Sequence, residues 1–95
     1  MPTKAYKIDG YVFRFDFVPT GGRFNIMVLH CPVNKRNTSE GVCHVNPETG
    51  KICIAAGREP KTLDRAVALA WHWASGYVVY QRTGLFPNGA AKRDV

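Results

Sequence analysis

Residues 62–84 read TLDRAVALAWHWASGYVVYQRTG, and their periodicity decides the fold. At about 100° per residue, Leu63, Ala66, Val67, Leu69, Ala70, Trp71, Trp73, Ala74, Tyr77, Val78 and Tyr80 share one side of a helical wheel. Asp64, Arg65, Ala68, His72, Ser75, Gly76, Val79, Arg82 and Thr83 share the other. The separation carries through Tyr77-Val78-Val79-Tyr80, where residue preference alone favours a strand, so the spacing predicts one continuous amphipathic helix. Gln81 alone falls on the wrong side. Thr62 is placed to cap the first free N–H groups, with Asp64 at the positive pole and Arg82 at the negative one. Gly84 suits a left-handed position after the last turn, which predicts that Leu85 folds back onto Tyr80. Such a helix is about 30 Å long and needs a sheet to cover.

The residues before it supply strands. KAYKI (4–8) and YVFRFDFV (11–18) flank Asp9-Gly10, a pair suited to the positive φ angles of a two-residue hairpin turn. Tyr11, Phe13, Phe15 and Phe17 alternate with Val12, Arg14, Asp16 and Val18, so the aromatic row is expected to face the helix. After the turn signal Pro19-Thr20-Gly21-Gly22, RFNIMVLHC (23–31) reads as a third strand with Phe24, Ile26, Val28 and His30 on one face. Its other face, Asn25, Met27, Leu29 and Cys31, is apolar enough to suggest a covered or interacting surface. Pro32 opens a polar loop through Gly41. GVCHV (41–45) and KICIA (51–55) then flank Asn46-Pro47-Glu48-Thr49-Gly50 as a second hairpin. The expectation is an α+β single domain spanning 1–95, with an antiparallel sheet of about five short strands, two hairpins plus one strand, packed on one long C-terminal helix. Residues 4–86 form its ordered core and 87–95 a frayed tail.

Composition narrows the function classes. Ninety-five residues with 45% hydrophobic content make one folded domain. No apolar run approaches a membrane span, and the N-terminus lacks a signal-peptide core, so a cytoplasmic protein without a membrane partner is expected. Thirteen Lys and Arg against seven Asp and Glu give +6, a balance that favours an anionic partner over a neutral one. No basic run exceeds Lys35-Arg36 or Lys92-Arg93, so any patch must be assembled by folding. Arg58, Lys61 and Arg65 gather near the start of the helix, with Lys51 at the neighbouring hairpin and Lys35 and Arg36 in the long loop. Such a surface would hold phosphates irrespective of sequence. Along the helix, His72 lies among small residues that let another surface approach closely, with Arg82 further along the same strip.

Catalytic and metal chemistry would have to come from Cys31, Cys43, Cys53, His30, His44 and His72. There is no CxxC or HxxxH spacing. His30-Cys31 and Cys43-His44 are adjacent pairs on expected strands, where neighbours point to opposite faces and cannot share a ligand or act as nucleophile and base. The cysteines therefore read as reduced, buried apolar side chains. No catalytic residue, no metal site and no cofactor is assigned, and the expectation is a binding protein, not an enzyme. A single-stranded nucleic-acid platform needs exposed rings beside cations, a role the aromatic row does not fill if it forms the core. Trp71 and Tyr80 flank the apolar arc, where a ring is half exposed.

In size, charge and sheet-plus-helix organisation, and in the HVNPETG turn (44–50) leading towards AWHWASGYVVYQRTG (70–84), the chain resembles small anti-CRISPR proteins of phages and mobile elements. That resemblance implies an inhibitor acting in the cytoplasm of a bacterial host, which binds a CRISPR effector complex through its protein subunits or guide RNA and blocks target-DNA binding; the oligomeric state is left open, with a monomer favoured. Many such proteins are acidic DNA mimics. A +6 chain departs from that type and would engage a guide-RNA backbone, an acidic protein surface or the DNA path. The site residues expected are Lys35, Arg36, Lys51, Arg58, Lys61, Arg65, His72 and Arg82. A stand-alone DNA- or RNA-binding domain is the alternative, followed by a Cys/His metal protein or enzyme.

Overall fold

The computed structural model describes residues 3–36 and 43–86. Three antiparallel strands, β1 (Thr3–Ile8), β2 (Tyr11–Thr20) and β3 (Arg23–His30), form a meander in the order β1-β2-β3, and helix α1 (Leu63–Thr83) packs on one face. The class is α+β, as expected. The expected frayed tail, 87–95, lies outside the described residues.

Both turns of the meander are local chemistry. Asp9 and Gly10 adopt φ of 50° and 83°, and Gly21 and Gly22 adopt 53° and 80°, the paired positive angles of two-residue turns that match strand twist. β2 runs on through Pro19, beyond the turn position the sequence suggested. Its last β1 partner is Thr3 at Asp16, so Pro19 has only β3 beside it, and its missing N–H breaks no second ladder.

The helix ends where its sequence predicts. Thr62 Oγ1 accepts the N–H of Arg65 at 3.1 Å, and Gly84, at φ 82°, donates its N–H to Tyr80 O at 2.8 Å. Leu85 does not fold back: it is 75% exposed. Phe86 takes that place, with its ring 5.7 Å from Tyr80 and 4.8 Å from His44. A Cβ built at Gly76 would lie 2.6 Å from that ring, so the helix admits Phe86 only because residue 76 has no side chain.

The core is aromatic. Phe13, Phe15 and Phe17 are fully buried and meet Ile26, Ile52, Leu69 and Trp73. Trp73 makes T-shaped contacts with Phe13 and Phe15 at 6.1 and 6.2 Å and lies 4.8 Å from Tyr77, geometries that add to the area buried. Tyr80 is buried, whereas Trp71 is 45% exposed and makes a T-shaped contact with Tyr6.

Two expectations about the strands are corrected. The first is their number. Residues 43–55 form no second hairpin ladder, only isolated bridges between Val45 and Ile52 and between Lys51 and Met27 of β3. Gly50 O accepts from Val28 N–H at 2.7 Å, and Ile52 N–H donates to Ile26 O at 2.9 Å, so this segment lines the β3 edge for one repeat. Its pairing with residues 43–45 does not run past His44, which leaves the extended region at φ 59°, and the Cys43 carbonyl accepts the indole N–H of Trp73 at 3.0 Å. The described residues hold three strands, not five.

The second correction is the phase of β3. Arg14 pairs with His30 and Phe15 with Val28, leaving Leu29 as an extra residue. Such a bulge flips every later side chain. His30 therefore sits exposed opposite Arg14, and Cys31 packs against the core.

Candidate functional site

α1 runs from the β2–β3 turn to the β1–β2 turn. Phe24, next to the first turn, donates its N–H to Pro60 O at 2.9 Å, and Arg82 pairs with Asp9 in the second at 3.3 Å. Arg65 and Arg82 are therefore about 25 Å apart along the helix axis. The eight expected contact residues do not form one patch. They divide between the two ends of the molecule, with His72 exposed on the outer helix face between them.

At the helix start, Arg58, Lys61 and Arg65 are exposed. Beside them opens a cleft of about 390 Å³ lined by Arg23, Asn25, Asn46, Lys51, Ile52 and Glu59. Its cations come from separate segments. Arg23 follows the Gly21-Gly22 turn, and Lys51 is brought to β3 by the Gly50 and Ile52 backbone bonds. The Asn46 side chain closes its own turn, accepting from the N–H groups of Glu48 and Thr49 at 2.8 and 3.2 Å. Glu59, the acidic group in the wall, accepts from Gly57 N–H at 3.0 Å and is drawn back to its own loop. Sequence reading missed Arg23, because a strand-joining glycine turn lacks the helix start that signals an anion loop. The available signal was its position as the first residue of β3.

At the helix end the two basic residues from the long loop have different roles. Arg36 donates from its guanidinium to Gln81 O at 3.1 Å and Arg82 O at 3.0 Å, satisfying terminal carbonyls and opposing the negative pole. It is a helix cap. Lys35 is fixed through its backbone N–H, which donates to Gln81 Oε1 at 2.9 Å, while its ammonium side is exposed. The small-residue strip around His72 is also altered. Phe86 covers Gly76, and Ser75 donates to Trp71 O at 3.0 Å, leaving Ala68, His72 and Val79 exposed.

Cys31 and Cys43 line a common cavity of about 310 Å³ with Tyr77. Burial pushes the Cys31 thiol up, outweighing the contact with the Tyr77 hydroxyl that pulls it down. Burial first, and the Cys31 thiol second, push the Tyr77 hydroxyl up as well, and its proton is given to Pro32 O at 2.7 Å. A thiol held protonated is a poor nucleophile and a poor metal ligand at neutral pH. Among the described residues no cluster of three or more His, Cys, Asp or Glu side chains could hold a metal ion, and no helix is long and apolar enough to cross a membrane.

Comparisons with protein-family models, curated proteins and solved structures return no match.

Proposed function

We propose that this chain is a non-enzymatic binding protein whose helix-start end engages the sugar–phosphate backbone of a nucleoprotein complex in the bacterial cytoplasm. The resemblance to small anti-CRISPR proteins makes a CRISPR effector complex the partner to test first, with block of target-DNA binding as the outcome. The observation that carries the reading is the placement of Arg23 and Lys51 in the walls of one cleft, beside the exposed Arg58, Lys61 and Arg65. Phosphates are recognised by such cations with little regard for base sequence, and a concave wall lets several act on one strand.

The test is recovery of the tagged protein from a lysate carrying CRISPR effector complexes, repeated after nuclease treatment and at raised salt. One defined complex that survives nuclease and is lost on charge reversal at Arg58 and Lys61, or at Arg23 and Lys51, supports the proposal. Heterogeneous nucleic acid that disappears with nuclease or salt points instead to a general binder, since each phosphate neutralised releases counterions. No recovery of either sinks both.

A further inference from the structure

The opposite end carries a second cleft of different chemistry. It encloses about 370 Å³ between the β1–β2 turn and residues 32–35, over the last turns of α1, within the roughly 300–1,000 Å³ usual for small-ligand sites. Tyr11 forms one wall. Parity places it in the row of Phe13, Phe15 and Phe17, which are fully buried, yet Tyr11 is 44% exposed because it stands at the end of the ladder beside the turn. Val33, 78% exposed, and Pro32 contribute apolar surface, and Lys35 and Arg82 bring two cations.

The walls are fixed before any ligand arrives. Tyr77 ties Pro32, Gln81 ties Lys35 and Asn34, and Arg82 holds Asp9. The negative pole of the helix would ordinarily repel an anion here, but the Arg36 guanidinium already occupies the Gln81 and Arg82 carbonyls. Asp9 is an acidic neighbour, 3.3 Å from Arg82. A guanidinium has five N–H donors, so that pair leaves others for a second anion.

An exposed ring, flanking apolar surface and two cations in one concavity are what a base and its phosphate require. We infer that this cleft takes an unpaired nucleotide of a single-stranded nucleic acid, its base stacked on Tyr11 and its phosphate held by Lys35 and Arg82. The inference shares its ligand class with the proposed function but uses the other end of the molecule.

Fluorescence anisotropy with short labelled oligo(dT) and oligo(rU), beside a duplex of the same length, tests it. Tyr11→Ala is expected to weaken single-strand binding roughly ten-fold, the scale of one lost base–aromatic stack, with Tyr11→Phe close to the parent and duplex binding unmoved. Asp9→Asn is expected to tighten single-strand binding by removing a charge that competes for Arg82. Tyr11 is exposed, so its variants remain folded, which circular dichroism checks. Parent-like single-strand binding by Tyr11→Ala overturns the inference, as does absence of single-strand binding by the parent. Equal affinity for the mononucleotides TMP or UMP overturns its strand form. Charge reversal at Arg58 and Lys61 separates the two ends: it abolishes recovery of the complex and leaves the Tyr11 dependence standing.

Discussion

Gln81 Oε1 accepts the backbone N–H of Lys35 at 2.9 Å, across 46 residues of sequence. Its Nε2 donates to Asn34 Oδ1 at 2.8 Å, so the amide side chain that breaks the apolar arc of the helix is a clamp for residues 34 and 35. Gln81→Ala removes both bonds and is expected to cost about 1–2 kcal/mol, from roughly 1 kcal/mol per hydrogen bond. Urea unfolding measures it. An unchanged midpoint would show that Arg36 holds the segment alone.

Gly50 is required twice over. Its φ is +78°, and an added Cβ would lie 2.8 Å from Val28 O, a backbone atom that cannot swing aside. Gly57, at φ +83°, has nothing within 4 Å of the same position. Gly57→Ala therefore measures the left-handed backbone cost alone, about 1–2 kcal/mol. Gly50→Ala is expected to exceed it in thermal or urea unfolding. Equal costs would mean that the 50–52 segment shifts freely on β3.

At Gly76 two effects oppose each other. Alanine in a helix interior gains up to about 1 kcal/mol over glycine, but its Cβ would displace the Phe86 ring that lies 2.6 Å away. A double-mutant cycle resolves them. Gly76→Ala is expected to stabilise in a Phe86→Ala background and to be neutral or destabilising in the parent. The same gain in both backgrounds would show that Phe86 contributes nothing at this site.

Alkali should destabilise the fold through Tyr77 and Cys31. Both groups are neutral when protonated, and burial raises both above their ordinary values of 10.0 and 9.0. The unfolded chain therefore releases these protons first, and the slope of stability with pH is negative. Their contribution is complete below about pH 9 and falls as pH rises through the unfolded and then the folded values. Unfolding by urea between pH 8 and 11 under reducing conditions reads this loss. Tyr77→Phe should flatten the slope around pH 10–11, at the cost of the bond to Pro32 O. A Tyr77→Phe profile as steep as the parent's would assign the loss elsewhere.

The sequence by itself determined the features whose causes lie within a few residues. The helix follows from a 3.6-residue repeat between Thr62 and Gly84, and both caps form as their side chains and φ angles allow. The Asp9-Gly10 turn and the burial of Phe13, Phe15 and Phe17 follow from turn chemistry and parity. Tertiary structure decided what depends on partners distant in the chain. Cys43 gives its carbonyl to Trp73, 30 residues away, and the second hairpin stops at isolated bridges where His44 leaves the extended region at φ 59°. The extra residue Leu29 turns His30 outward and Cys31 inward, a phase change invisible to a two-residue repeat. Phe86 replaces Leu85 against the helix because Gly76 leaves room for its ring. The basic residues were legible as charges but not as places. A rigid helix about 30 Å long separates Arg58, Lys61 and Arg65 from Lys35 and Arg82, spends Arg36 on its own carbonyls, and leaves Arg23 and Tyr11 to complete the clefts at its two ends.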